Sequence, residues 1–159
     1  MNILDSTEDE IFLSTPVSSF EPEEFSRFKT VFNSLRKLIE RKPPGYRVFC
    51  AAERIASLNH LEDSKYSAIT DFQRIQDCAG FILFYPKPLA TSALVELGFA
   101  LALEKRTLII TPEKVNLPFL CRKLDMLYDF VEIQVADINS ANIADIISEF
   151  IDRKVLTKP

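Results

Sequence analysis

One acidic side chain interrupts an otherwise apolar segment in the middle of the chain. Glu96 lies within residues 92–104, SALVELGFALALE, where almost every neighbour is Ala, Leu, Val or Phe. Burial among such neighbours raises the pKa of a carboxyl group, and a carboxylate in such a place can stabilise a positive charge or form a covalent intermediate. The alternative is an acid that complements the helix dipole. A capping box does not explain Glu96, because Ala93, three residues earlier, cannot cap a helix.

Polar residues at predicted strand ends form a second group of candidates. Ser14 and Thr15 follow the first strand and are suited either to binding a sugar or phosphate or to simple turn chemistry. Tyr85 ends the central strand, where it is either a core residue or a surface on which a base stacks. His60 is read as a surface or loop histidine rather than a catalyst, and the cysteines as small buried hydrophobes.

Two further positions are open to a structural explanation. Asp71 lies on the helix before the central strand, and its spacing alone favours an ordinary solvated acid. Thr91 and Ser92 are first of all helix-capping residues. They become ligand contacts only if the start of their helix faces the binding crevice.

The elements that must position these residues alternate between strands and helices. The segment Phe81 to Thr111 predicts a strand, a loop, a helix and a strand, with both strands continuously apolar, as expected for parallel strands covered on both faces. The residues between 52 and 63 are compatible with a short helix or an irregular loop. The predicted strands are Ile11–Ser14, Tyr46–Ala51, Phe81–Tyr85, Thr107–Ile110 and Asp129–Val135; the predicted helices are one starting at Pro22, Ser64–Gln76, Ser92–Glu104, Phe119–Met126 and a last one capped by Asn139 or Ser140.

This alternation predicts an α/β fold with an open parallel sheet of about five strands and helices on both faces, flavodoxin-like. We expect residues 1–159 to form a single domain, because the length suits one core. Right-handed crossovers and a reversal of strand order place a crevice at the carboxyl ends of the strands. The loop after the first strand, the loop after Tyr85 and the start of the Glu96 helix should converge there.

Composition excludes several classes of function. The net charge of −4 gives no reason to expect a nucleic-acid partner. No apolar run is long enough to span a membrane and the N-terminus is not a signal peptide, so we expect a cytoplasmic protein. An odd number of widely spaced cysteines fits a reducing compartment. A single histidine without a CxxC pair makes a zinc site unlikely, and no dinucleotide or P-loop glycine motif is present.

Three segments together resemble the nucleoside 2-deoxyribosyltransferase-like superfamily, which is related to TIR domains. They are IFLSTP, TDFQRIQDCAGFILF and TSALVELGFALALEKRTLII, and they cover roughly Ile11 to Thr111. The most specific part is Glu-Leu-Gly-x-Ala after a loop of small residues. The resemblance implies a flavodoxin-like fold and a reaction at the N-glycosidic bond of a nucleoside or nucleotide, with NAD among the candidates.

The same resemblance implies roles for individual residues. Glu96 matches the acid that attacks or stabilises the anomeric carbon, and Asp71 matches a substrate contact on the preceding helix. Ser14 and Thr15 match a loop that borders the nucleotide, and Ser92 matches a position four residues before the acid in TIR domains that cleave NAD. Such chemistry passes through an oxocarbenium-like sugar and needs no metal and no cofactor. Related enzymes often complete the site from a neighbouring subunit, so we expect a homo-oligomer.

The chain also departs from the family pattern. Ile11 and Phe12 stand where an aromatic residue with a hydroxyl is common, Gly80 replaces an acid, and Pro86-Lys87-Pro88-Leu89-Ala90 replaces a glycine-rich lead. These departures count against transfer between free nucleosides more than against the fold. They leave open a second class of function, a non-catalytic TIR-like module that senses a nucleotide or assembles without chemistry.

Overall fold

Five parallel strands form the centre of the protein. The computed structural model describes residues 9–17, 20–43, 45–50, 64–89 and 91–155. In chain order the elements are β1 (Glu10–Ser14), α1 (Pro22–Arg41), β2 (Arg47–Phe49), α2 (Ser64–Asp77), β3 (Gly80–Phe84), α3 (Ser92–Ala102), β4 (Thr107–Thr111), 3₁₀ turns at Lys114–Asn116 and Phe119–Cys121, α4 (Leu124–Leu127), β5 (Val131–Val135), α5 (Ile143–Phe150) and a π-helical turn (Ile151–Val155).

The strand order is β2-β1-β3-β4-β5, and every neighbouring pair is parallel. This is the flavodoxin-like arrangement that the alternation of elements predicts. The order reverses between β1 and β3, where Ser14 pairs with Leu83 in the register of the two strands. In open α/β sheets, ligands bind outside the carboxyl ends of the strands at such a reversal.

Helices cover both faces of the sheet, and each face has its own apolar core. Because side chains alternate along a strand, Ile82 and Phe84 face α1 and α5, whereas Phe81 and Leu83 face α2 and α3. All five residues of β1, β3 and β4 are buried. Burial on both sides explains why these strands are apolar without alternation.

Helix boundaries differ from the expected ones where local hydrogen bonds intervene. The last helix begins at Ile143 after Asn142, rather than being capped by Asn139 or Ser140. A turn uses both of those residues, because Asp137 Oδ1 accepts the N–H of Asn139 and the N–H of Asp137 binds Ser140 Oγ. α3 ends at Ala102 instead of Glu104, because Glu104 has a left-handed φ of 52°.

Two further predicted segments differ from the structure or cannot be compared with it. The expected helix over Phe119–Met126 is divided into a 3₁₀ turn and the four-residue α4. The segment between 52 and 63, which contains His60, lies outside the described residues.

Within the described part of the chain, no helix combines the length and the apolar character needed to cross a membrane.

Candidate active site

The hydroxyl of Ser14 meets the carboxylate of Glu96 at the reversal point of the sheet. Ser14 Oγ donates a hydrogen bond to Glu96 Oε2, although the two residues are 82 positions apart in the chain. Ser14 is the last residue of β1, and Glu96 lies on α3, which follows the neighbouring strand β3. The topology therefore brings a carboxylate and a hydroxyl to the place where this fold binds ligands.

The helix dipole does not account for Glu96. Thr91 is the N-cap of α3, which puts Glu96 beyond the first turn, and that turn contains no acid. The favourable effect of the dipole on an acid decays within the first turn. An interaction with the helix dipole therefore does not explain the position of Glu96.

Burial changes the protonation of Glu96. The side chain is half-buried, and loss of water around it raises its pKa to about 7. The hydrogen bond from Ser14 opposes this shift by stabilising the carboxylate, and the negative charge of Asp71 adds to it. A group with such a pKa populates both its ionised and its protonated form at neutral pH.

Asp71 approaches this site from α2. Its charge acts on the pKa of Glu96, and its side chain is partly buried rather than fully solvated. The packing of α2 on α3 positions it, since the neighbouring Phe72 contacts Phe99 of α3 with ring centroids 4.8 Å apart. The structure thus brings Asp71 into the surroundings of Glu96, where the spacing in the sequence favoured an ordinary surface acid.

The start of α3 lies in the same region. Ser92 is the first residue of the helix and is exposed. Thr91 has the extended backbone of an N-cap but makes no capping bond with its side chain. Its Oγ1 is buried without a hydrogen-bond partner among the described residues. A buried polar group without a partner is costly, and sequence reasoning, which treated Thr91 as a capping residue, gave no sign of it.

The remaining two predicted residues fix the loops beside the site. Thr15 is buried, and its Oγ1 donates to the carbonyl of Phe84 at 3.2 Å, which ties the end of β1 to the end of β3. Tyr85 is 2% exposed, and its hydroxyl exchanges hydrogen bonds with the backbone of Leu89. This position anchors the loop before α3 and leaves little of the ring for a base to stack on.

The arrangement suits charge stabilisation by a carboxylate. Glu96 supplies the negative charge, Ser14 holds its orientation, and Asp71 modulates its protonation. Across the described residues, no group of His, Cys, Asp and Glu side chains is placed to hold a metal ion.

The fold is similar to those of two solved structures. One is the CMP N-glycosidase BcmB of Clostridium botulinum, which is 20% identical with a TM-score of 0.62 over 90% of this chain and 97% of that chain. The other is BlsM in solution, which is 22% identical with a TM-score of 0.70 over 98% of both chains. At these identities the likeness shows a shared fold. The sequence matches no protein-family model and no curated protein.

Proposed function

We propose that the protein cleaves the N-glycosidic bond of a nucleotide or nucleoside, with Glu96 acting at the anomeric carbon. The observation that carries this proposal is the half-buried carboxylate of Glu96, held by Ser14 at the reversal point of the sheet. Its pKa of about 7 is strongly perturbed by burial, as the pKa values of carboxyl groups at functional sites often are. The resemblance to the nucleoside 2-deoxyribosyltransferase-like superfamily names the same residue.

The chemistry requires little besides this carboxylate. As the bond between sugar and base breaks, its electron pair leaves with the base, and positive charge develops on the anomeric carbon. The ionised carboxylate of Glu96 stabilises that charge or forms a bond to the carbon. Water then gives a hydroxyl group to the sugar and a proton to the base; where a bond to Glu96 has formed, the attack of water on the anomeric carbon breaks it and restores the carboxylate. Ser14, Asp71 and Ser92 are proposed to orient the sugar around Glu96, and Thr15, whose hydroxyl binds the carbonyl of Phe84, is proposed to hold the loop that borders the nucleotide.

The substrate class rests on the neighbours and on the family resemblance. One structural neighbour is a CMP N-glycosidase, so a pyrimidine nucleotide is the first candidate substrate. NAD is a second, because the resemblance extends to TIR domains that cleave it. We expect a small-molecule nucleotide, rather than a nucleic acid, because the chain has a net charge of −4.

A base-release assay tests the proposal. The purified protein is incubated with CMP, cytidine, a panel of deoxynucleosides and NAD, and released base is measured by chromatography. Glu96→Gln should abolish release without loss of folding. Glu113→Gln is the matched control, since Glu113 is an exposed glutamate outside the site. Release that persists in Glu96→Gln would overturn the role of Glu96.

The same assay separates the enzyme from the alternative, a nucleotide-sensing module without chemistry. Such a module would bind one of these nucleotides and form no product. Binding of CMP or NAD by calorimetry, together with no released base from any substrate, would favour the module. Release of base from the wild-type protein would exclude it.

We also propose that the protein is a homo-oligomer that packs through the layer containing α3. Gly98 lies in the middle of α3, is exposed, and has open space where a Cβ would be. Glycine costs a helix about 1 kcal/mol relative to alanine, and nothing within the described chain requires it there. Val95, which is also exposed, lies one helical turn from Gly98 on α3. In the same layer, the connection from β4 to β5 contains Phe119 and Leu120, whose side chains are 79% and 81% exposed. Apolar surface of this kind favours a protein contact.

Analytical ultracentrifugation tests this arrangement. Gly98→Leu should produce monomers, because the larger side chain prevents close approach of a second helix. Asn33→Leu, an exposed position on α1, should leave the assembly unchanged. A wild-type protein that sediments as a monomer at high concentration would refute the proposal.

A reducing compartment such as the cytoplasm remains our expectation for where the protein works. The sequence has an odd number of widely spaced cysteines, Cys50, Cys78 and Cys121. Such a pattern fits a reducing compartment better than a disulfide framework. Localisation of a fluorescent fusion would test the expectation, and its secretion would contradict it.

A further inference from the structure

A cavity of about 260 Å³ lies at the carboxyl edge of the sheet, away from Glu96. It is bounded by the first turns of α1 and by the residues that follow β3, β4 and β5. Neither Glu96 nor Ser14 lines it, whereas Pro86 and Lys87, from the loop that leads to α3, do. The cavity is thus separate from the candidate active site but shares a loop with it.

Aromatic side chains form much of its wall. Phe20 and Phe28 line it with ring centroids 4.8 Å apart, and Phe84 contributes from the end of β3. Each of these three side chains is at least nine-tenths buried, so the wall is already formed in the protein. A pre-formed wall of apolar and aromatic side chains is typical of small-molecule sites.

The size of the cavity suits a small ligand. Pockets for drug-sized ligands have volumes of about 300–1,000 Å³, and this one lies just below that range. A single ring system, such as a nucleobase or a nicotinamide ring, is suited to such a volume.

Charges at the mouth disfavour an anion. Lys87 Nζ donates to Glu24 Oε2 at 2.9 Å, and Arg27 faces Glu23 at 3.8 Å. Acidic side chains therefore stand beside both cations that line the cavity. They reduce the positive charge that a phosphate or carboxylate on the ligand would meet.

A hydrogen-bond acceptor is nevertheless available at the rim. Asp137 Oδ1 accepts the backbone N–H of Asn139 at 2.8 Å and its side-chain amide at 3.1 Å. Within the described residues, the other oxygen of Asp137 forms no hydrogen bond. Since Asp137 lines the cavity, this oxygen can accept an N–H group of a ligand bound there.

We infer that this cavity binds a neutral heteroaromatic ring with N–H groups on one edge, as in a free nucleobase or nicotinamide. Such a ring is the leaving group of the proposed reaction, and in that respect the inference rests on the proposed function. The inference names a site for the released base that is distinct from the site where the bond breaks.

NMR titration of the full-length ¹⁵N-labelled protein tests the inference. Cytosine, adenine and nicotinamide are added separately, and benzoate serves as an anionic ring of similar size. At least one neutral ring should give saturable shifts at the amides of Phe28, Ile138 and Asn139, and benzoate should bind at least tenfold more weakly. Comparison of the bases with nicotinamide shows which class of leaving group the site accepts.

Variants locate the binding. Val31 lines the cavity. Val31→Phe should fill the cavity and weaken ligand binding at least tenfold. Asn33→Phe is the control, since it adds the same ring at an exposed position nearby and should leave ligand binding unchanged. Asp137→Asn, at an exposed position, should weaken binding severalfold and provides the test if Val31→Phe does not fold.

Several outcomes would overturn the inference: no saturable shift with any neutral ring, shifts confined to residues around Ser14 and Glu96, equal binding by Val31→Phe and Asn33→Phe, or benzoate binding as tightly as the neutral rings. Glu96→Gln should retain binding in the cavity. If no substrate releases base but a neutral ring still binds there, the proposed function fails and the cavity assignment stands. If base is released but no ring binds in the cavity, the proposed function stands and the cavity assignment fails.

Discussion

Removal of the Ser14 hydroxyl should raise the pKa of Glu96 still further. Among the described residues, Ser14 supplies the hydrogen bond that lowers this pKa. A hydrogen bond to a charged group contributes about 1.5–3 kcal/mol, and one pKa unit corresponds to about 1.4 kcal/mol. Because Glu96 is only half-buried, water replaces part of the lost bond and the lower figure applies. We therefore expect Ser14→Ala to raise the pKa by about one unit above its value of about 7.

Two measurements check this expectation, and one of them does not require activity. Carboxyl ¹³C NMR follows the titration of Glu96 directly. In the base-release assay the ionised form is the reactive one, so the acidic limb of the pH profile should move up by about one unit, and release at pH 7 should fall roughly fivefold. Thr15→Ala is the control, since it removes a neighbouring hydroxyl that binds Phe84 instead. An unchanged or lower pKa in Ser14→Ala, or the same shift in Thr15→Ala, would refute the reasoning.

Three further changes test the energetics of the site and its loop. The native state holds an extra proton on Glu96 between the unfolded pKa of 4.5 and the folded value of about 7, so stability falls as pH rises through this range. The loss of stability caused by ionising Glu96 amounts to about 3 kcal/mol. Glu96→Gln should therefore melt several degrees above wild type at pH 8 but at nearly the same temperature at pH 4. An equal rise in melting temperature at both pH values would contradict the raised pKa of Glu96. Tyr85→Phe removes the hydrogen bonds to the backbone of Leu89 and should lower the free energy of unfolding by about 1 kcal/mol in urea titrations, and no change would show that the loop does not depend on them. Lys87→Met breaks a partly exposed ion pair with Glu24 and should change the free energy of unfolding very little in the same titration, because water screens such a pair; a clear loss of stability would mean that the pair holds the loop against α1.

Much of the fold could be predicted from the sequence because burial on both faces leaves a strong pattern. The runs from Phe81 to Tyr85 and from Thr107 to Ile110 are continuously apolar, which two-sided burial requires. The exact ends of helices were less predictable. The start of α5 depends on a turn in which Asp137 engages Asn139 and Ser140, and polar residues of these types serve turns and caps equally well.

The site could be predicted only in part, because its geometry arises from tertiary contacts. The unusual setting of Glu96 is visible in the sequence, and the topology places Ser14 at the same edge of the sheet. That the two side chains would bond across 82 positions is not visible. The role of Asp71 depends on how α2 packs against α3. Tyr85 illustrates the opposite error, since a strand-end tyrosine looks available to a ligand until its hydroxyl is seen to bind the backbone of Leu89.

The cost of the carboxylate at position 96 bears on the choice between an enzyme and a sensing module. A glutamine there would accept the same hydrogen bond from Ser14 without a partly desolvated charge, and the helix dipole gives no benefit beyond the first turn. A module that only binds a neutral sugar gains nothing from a negative charge that destabilises the native state at pH 8. A reaction that develops positive charge at the anomeric carbon gains most from that charge in its transition state. We therefore expect Glu96→Gln to lower the turnover number far more than the affinity for substrate; an equal loss of both would indicate that Glu96 serves binding alone.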